Sequence, residues 1–287
     1  MDITLDYAED RFIHINRIKV RYRSLGQGKQ TSLFIHGLAG SLEHWYKLVP
    51  ELVQHYHLIT LDLPGFGLSE KPSVIYSADF YMQFLQNFMM KLQLRDVTLV
   101  GHSFGGGLAL KFALELPHAV HRLILISNAG FSQKLSLFLR LLTIPGLRRM
   151  LTIINRTSVN MGLKMIVYDK RHIEKHFVDR MYDLFKLPEF HRAFFSTLAQ
   201  SANCFGAKLA LYQSINNALT HLRIPTLVFW GDSDPILPFS WQQQSLQRLP
   251  CMTLRLLPKC GHLPYLEYPD IVGNEVRRFI RNSTYLF

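Results

Sequence analysis

Residues 97–106, Val-Thr-Leu-Val-Gly-His-Ser-Phe-Gly-Gly, constrain this chain more than any other stretch. Val97 to Val100 reads as a buried strand, and the apolar-rich run from Phe104 to about Leu116, stopped by Pro117, reads as a helix. Only a very sharp turn joins the two. A turn that tight leaves no room for bulk two residues before or after its apex at Ser103, which accounts for Gly101 and Gly105. It lifts the Ser103 hydroxyl clear of the sheet and points the amide-rich start of the helix at any charge that develops there. The bare Gly-x-Ser-x-Gly pattern is common; the strand before it and the helix after it give it weight.

The same rhythm runs along the chain. Alternating residues 11–15 and 18–23 predict a hairpin, and short apolar runs at 31–35, 58–63, 122–127, 225–230 and 252–257 predict further strands. Helical spacing marks 45–55, 79–92 with Asp79 as a candidate cap, and 269–281. Strands alternating with helices predict a mostly parallel sheet covered on both faces. Residues 131–222 break the pattern: their apolar side chains recur only at helical spacing, interrupted at Pro145-Gly146 and Pro188. This block reads as a helical cap (lid) inserted after the sixth strand, with residues 1–130 and 223–287 forming the core.

Composition bounds the alternatives. Of 287 residues, 48% are hydrophobic and 18% charged, which excludes a disordered chain. The first ten residues carry four acids and no apolar run, so no secretory leader is expected. The most apolar long stretch, 136–154, is interrupted by Arg140, Arg148 and Arg149, so no membrane-spanning helix is expected either. Cys204, Cys251 and Cys260 are odd in number and lack Cys-x-x-Cys spacing, which argues against a disulfide scaffold or structural zinc. A cytoplasmic protein is expected.

A serine hydroxyl is a weak nucleophile and needs a base, which in turn needs an orienting carboxylate. Of the 13 histidines, His262 is best placed, in a Gly-His-Leu-Pro loop just past the last predicted strand. Asp232 and Asp234 both follow the preceding strand and compete for the carboxylate role. Donors for an oxyanion would be the backbone N–H of Phe104 and that of Leu38, in the glycine-bearing loop His36-Gly37-Leu38-Ala39-Gly40. Such a set works without a metal or an organic cofactor.

Together these pieces resemble the α/β-hydrolase superfamily, specifically its capped, cofactor-free serine hydrolases related to carboxylesterases and meta-cleavage-product hydrolases. The matching segments are His36-Gly37, Asp62-Leu63-Pro64-Gly65-Phe66-Gly67-Leu68-Ser69, residues 101–106, residues 231–234 with Pro238, and Gly261-His262. The resemblance implies an α/β-hydrolase fold with an eight-stranded, mostly parallel sheet. It also implies a catalytic set of Ser103, Asp234 and His262, in the chain order usual for that fold, and favours Asp234 over Asp232.

Departures narrow the reading. Haloalkane dehalogenases and epoxide hydrolases carry aspartate where Ser103 stands. Meta-cleavage hydrolases typically place Trp shortly after the histidine and Asn before the nucleophile, whereas this chain has Leu263-Pro264-Tyr265 and His102. A carboxylic ester or thioester hydrolase is the leading reading. Alternatives are a C–C bond hydrolase, a carrier-protein-linked acyl methyl esterase, and a catalytically silent binding scaffold. His172 and His176, four apart on an expected helix, could share a metal but read as a solvated face. No P-loop or dinucleotide fingerprint occurs.

The formal charge of +11 is unevenly spread. Residues 131–220 hold 13 Lys and Arg against 5 Asp and Glu, which is +8 of that total. This basic excess admits a merely solvated surface, an acidic partner such as an acyl carrier protein, or an anionic membrane surface met through 135–154. No nucleic-acid module accompanies it, so nucleic-acid binding is not expected. Apolar residues of the block, among them Phe138, Leu141, Leu142, Leu151, Met161, Met165, Phe194 and Phe195, suit packing on the core or an acyl chain.

Overall fold

The structure, a computed structural model, describes residues 9–147 and 153–281. Of the sequence features above, the first eight residues, Arg148, Arg149 and Leu151 lie outside them. Eight strands form one sheet in the order β1-β2-β4-β3-β5-β6-β9-β10. They are β1 (Arg11–Ile15), β2 (Ile18–Leu25), β3 (Thr31–Ile35), β4 (His57–Leu61), β5 (Val97–His102), β6 (Val120–Ile126), β9 (Thr226–Gly231) and β10 (Met252–Leu257). The hairpin β1–β2 pairs antiparallel to β4 at one edge, and every pairing from β4 to β10 is parallel. β5 and β9 are buried along their whole length, as parallel strands covered on both faces must be.

Two apolar layers sandwich the sheet. One joins Leu33, Leu99 and Leu125 to helix Ala78–Lys91 and to Leu110 and Phe112 of helix Ser103–Glu115. The other joins Phe34, Val100 and Phe229 to Trp45, Tyr265 and helix Pro269–Arg281. Burying several such side chains, each contributing about 1.5–3 kcal/mol, fixes where the strand ends sit. Among the described residues no helix is long and apolar enough to cross a membrane.

Local structure departs from the sequence expectation in four places. Ser77, not Asp79, caps the helix at Ala78, its side chain accepting the Phe80 amide at 3.1 Å. The expected helix over 45–55 is a 3₁₀ turn, Leu42–Trp45, and one α-turn, Val49–Leu52, because Pro50 suits a first turn but not a helix interior. The segment between β6 and β9 contains a short hairpin, β7 (Ala202–Asn203) with β8 (Gly206–Ala207), beside helices Leu137–Leu142, Arg156–Met165, Lys175–Phe185, Phe190–Ser201 and Leu209–Asn216. Finally, His172 and His176 do not share a helix: His172 ends a 3₁₀ turn and His176 lies in Lys175–Phe185. Among the described residues no cluster of three or more metal-ligating side chains forms.

A buried ionic cluster ties the inserted segment to the core. Glu43 accepts from Arg21 at 2.7 Å and from Arg180 of helix Lys175–Phe185 at 2.6 Å. Burial alone would push the Glu43 carboxyl up, but the two guanidiniums outweigh it and hold it below the usual carboxylate range. Arg21 also meets Asp62 at 3.2 Å and Asp10 at 2.7 Å. Asp62 in turn accepts the Leu42 amide at 2.7 Å and the Leu68 amide at 2.8 Å, which closes the Asp62–Ser69 turn beside the site.

Candidate active site

β5 ends where its neighbours end, and the chain turns straight into a helix at Ser103. Ser103 has φ +51°, a left-handed conformation that a non-glycine residue adopts at a cost of about 1–3 kcal/mol, held here by the strand and helix on either side. A Cβ on Gly101 would come within 2.6 Å of the Gly106 Cα, and one on Gly105 would collide with the His36 carbonyl oxygen. Both glycines are therefore obligatory for this turn.

The loops after β9 and β10 bring the other two predicted side chains to Ser103. His262 Nε2 lies 3.0 Å from Ser103 Oγ, and His262 Nδ1 lies 2.7 Å from Asp234 Oδ2. With Nδ1–H donating to the carboxylate, Nε2 is left as the acceptor for the serine hydroxyl. Asp234 Oδ1 accepts the amides of Ile236 at 2.8 Å and Leu237 at 2.9 Å, which fixes the carboxylate plane. Asp234 and His262 are 3% and 4% exposed, so their interaction is little screened. Asp232 is exposed and accepts from Ser233 instead, so the structure places Asp234 rather than Asp232 on the imidazole.

The residues of the two predicted oxyanion donors lie at the same cavity as Ser103. Phe104 is the second residue of helix Ser103–Glu115, where amides have no intrahelical acceptor. Leu38 lies in the loop after β3, and both residues line the cavity that holds Ser103 and His262. That loop is pinned by His36, whose Nδ1–H donates to the Gly37 carbonyl at 2.7 Å while its Nε2 accepts the Leu63 amide at 3.0 Å. Burial holds the His36 imidazole down to about 3, so it stays neutral and keeps this bridging tautomer.

Sequence reasoning missed three side chains that hold the histidine loop. Glu267, 3% exposed, accepts the Gly261 amide at 2.8 Å with Oε1 and the Tyr168 and Asp169 amides at 2.9 and 3.2 Å with Oε2. His102 Nε2 donates to the His262 carbonyl at 2.9 Å, and its Nδ1 accepts from the Tyr265 hydroxyl at 3.2 Å. Burial, helped by the neighbouring His262, holds His102 well below the usual histidine range. His102 was visible as a departure from related motifs, but its bond to a loop 160 residues away was not.

The site opens into a cavity of about 260 Å³ whose wall is almost wholly apolar, including Leu38, Leu135, Phe138, Phe194, Leu198 and Ile236. Among the described residues Lys111 is the one Lys or Arg in that wall, and it is ion-paired with Glu115. Ser103, Gly107 and Lys111 line the cavity from successive turns of one helix, a span of about 12 Å at 1.5 Å per residue. A serine hydroxyl, an imidazole and an orienting carboxylate beside an apolar pocket form an arrangement that can attack an acyl group.

Comparison with known proteins agrees with the fold. Residues 33–151 match the family model described as alpha/beta hydrolase fold. An uncharacterized hydrolase of Bacillus subtilis, YugF, is 28% identical over 88% of this chain and 91% of its own length. A 2-hydroxy-6-oxo-2,4-heptadienoate hydrolase of Pseudomonas putida is 26% identical over 90% of this chain and 91% of its own. The crystal structure of a meta-cleavage product hydrolase from Pseudomonas fluorescens superposes with a TM-score of 0.82 at 22% identity, covering 95% of this chain and 98% of that one.

Proposed function

Because this chain is an α/β hydrolase by fold, we propose that it is a serine hydrolase that cleaves carboxylic esters or thioesters of apolar acyl groups through an acyl-enzyme. The observation that carries the reading is Ser103 Oγ at 3.0 Å from an imidazole whose far nitrogen is bonded at 2.7 Å to buried Asp234. Ser103 Oγ attacks the acyl carbon and its proton passes to His262 Nε2, while Asp234 stabilises the imidazolium. The carbonyl oxygen takes up negative charge opposite the Leu38 and Phe104 amides. Collapse of the tetrahedral adduct expels the alcohol or thiol, which takes the proton from Nε2. Water then gives a proton to Nε2 and attacks the acyl-enzyme, and the acid leaves with Ser103 restored.

The cavity wall favours esters over C–C hydrolysis. The Pseudomonas putida relative acts on a dienoate, an anion, and a buried anion needs a paired cation or several donors. Here the described residues of the wall offer an acyl chain apolar contact and one Lys, already paired with Glu115. We further read residues 131–222 as a cap that selects the acyl group, since Leu135, Phe138, Phe194 and Leu198 supply much of that wall. The test is a panel of p-nitrophenyl esters, acyl thioesters and a dienoate, run on wild type and Ser103→Ala. Ester turnover that disappears in the variant supports the reading. Turnover of the dienoate alone, or equal ester turnover by both proteins, overturns it.

A further inference from the structure

The rim of the cavity carries apolar side chains that the described residues leave exposed. Phe205, at the tip of the β7–β8 hairpin, is 80% exposed; Leu137, in the first turn of helix Leu137–Leu142, is 66% exposed; Leu209 is 52% exposed. These residues belong to one locale. Arg140 Nε donates to the Cys204 carbonyl at 2.6 Å, and the Ala207 amide donates to the Gln133 carbonyl at 2.8 Å, so the hairpin is bonded to the strip that leads into the helix. Both segments also border the cavity, through Phe138 and Leu139 on one side and Ala202, Ala207 and Leu211 on the other. Phe138 is itself 44% exposed and so marks the mouth.

Charge along the two segments that carry these side chains has one sign. The sequence holds no Asp or Glu between 131 and 168 or between 190 and 231. Lys134 stands three residues before Leu137, and Lys208 lies between the hairpin and Leu209. A large exposed apolar patch marks an interaction surface, and the charge says which kind. A second copy of the chain would bring its cations against these and be repelled. Protruding apolar side chains interleaved with cations, in two segments that carry no carboxylate, match the depth profile of a lipid interface with negative headgroups.

We propose that this rim docks on an anionic lipid surface, with Leu137, Phe205 and Leu209 entering the interface and Lys134 and Lys208 meeting the headgroups. Docking turns the mouth of the apolar cavity toward the bilayer, where acyl esters partition. It goes beyond the hydrolase reading, because binding is measured without turnover.

The experiment is co-sedimentation of the whole protein with vesicles of phosphatidylcholine alone and of phosphatidylcholine with about 30% phosphatidylglycerol, at low and high salt. Wild type and Ser103→Ala are expected to bind the anionic vesicles alike, at least tenfold better than the neutral ones, and to lose binding as salt rises. Two double variants, Leu137→Ser with Phe205→Ser and Lys134→Glu with Lys208→Glu, should each weaken binding at least tenfold. All four positions lie outside the cavity wall, so turnover of a water-soluble ester should stay at the wild-type rate and show that the variants are folded. Wild type left in the supernatant with anionic vesicles overturns the proposal. So does undiminished binding by both variants, self-association through this face, or retention only by a soluble acidic carrier protein.

Discussion

Glu267 Oε1 accepts the Gly261 amide at 2.8 Å, one residue before the histidine that faces Ser103, and no other side chain holds that amide. The second oxygen of the same carboxylate holds the Tyr168 and Asp169 amides, and the His262 amide donates to the Ile166 carbonyl at 2.6 Å. The loop that carries the base is thereby fixed to the inserted segment as well as to the core. Glutamine at 267 has one carbonyl oxygen and cannot accept on both sides. Glu267→Gln is expected to lower kcat about ten- to a hundredfold with little change in KM, since small displacements of a reacting group cost that much. Steady-state kinetics check this, and an unchanged kcat would assign Glu267 to stability alone.

The choice between the two aspartates is equally testable. Asp234→Asn removes the acceptor that fixes the His262 tautomer, and kcat/KM should fall by about 10⁴ while the fold survives, because the amide fills the same space. Asp232→Asn, on an exposed carboxylate, should leave kcat/KM within about twofold. Equal effects from the two variants would contradict the assigned geometry.

Buried neutral histidines make the protein acid-sensitive before its carboxylates titrate in the unfolded chain. Burial holds His36 down to about 3 and His44 down to about 4, and holds His102 lower than its ordinary range. Below pH ~6.5 the unfolded chain binds protons that the folded chain refuses, so stability falls with pH by about 1.4 kcal/mol per unit for each unmatched proton. Burial raises the Asp62 and Glu267 carboxyls, so the folded chain takes protons there first and offsets part of this loss. The net expectation is a Tm that declines from about pH 6.5 downward, less steeply in His102→Gln, which removes one such proton. A wild-type Tm constant between pH 7 and 5 would contradict it.

Chain-length preference reads out the cavity. The span of about 12 Å along helix Ser103–Glu115 should suit acyl groups of medium length. Phe194→Ala removes a half-buried ring from the wall without touching the triad, and should shift the preferred p-nitrophenyl ester toward longer or bulkier acyl groups. An unshifted chain-length profile would mean that the acyl group does not enter this cavity.

Legibility in the sequence follows the range of the interactions concerned. Ser103 and His262 could be nominated because each directly follows an apolar strand, a pattern written in a few consecutive residues; Asp232 and Asp234 share such a position, and only the family resemblance favoured Asp234. The hairpin β7–β8 was hidden because each strand is only two residues long and carries no alternation. Glu267 and the Glu43–Arg180 pair were hidden for a different reason: their partners lie 99 and 137 positions away, and nothing local distinguishes a buried carboxylate from a solvated one. Asp79 and Ser77 are both good caps by propensity, so residue type alone does not choose between them, and the helix begins at Ala78 with Ser77 as its cap.

The most direct measurement of the central claim is covalent labelling with a fluorophosphonate followed by mass spectrometry of the digested protein. The account predicts one adduct per chain, on the Ser103 hydroxyl, formed quickly in wild type and far more slowly in His262→Ala. Absence of labelling, or an adduct on another residue at the same rate in both proteins, would contradict an activated serine at the end of β5.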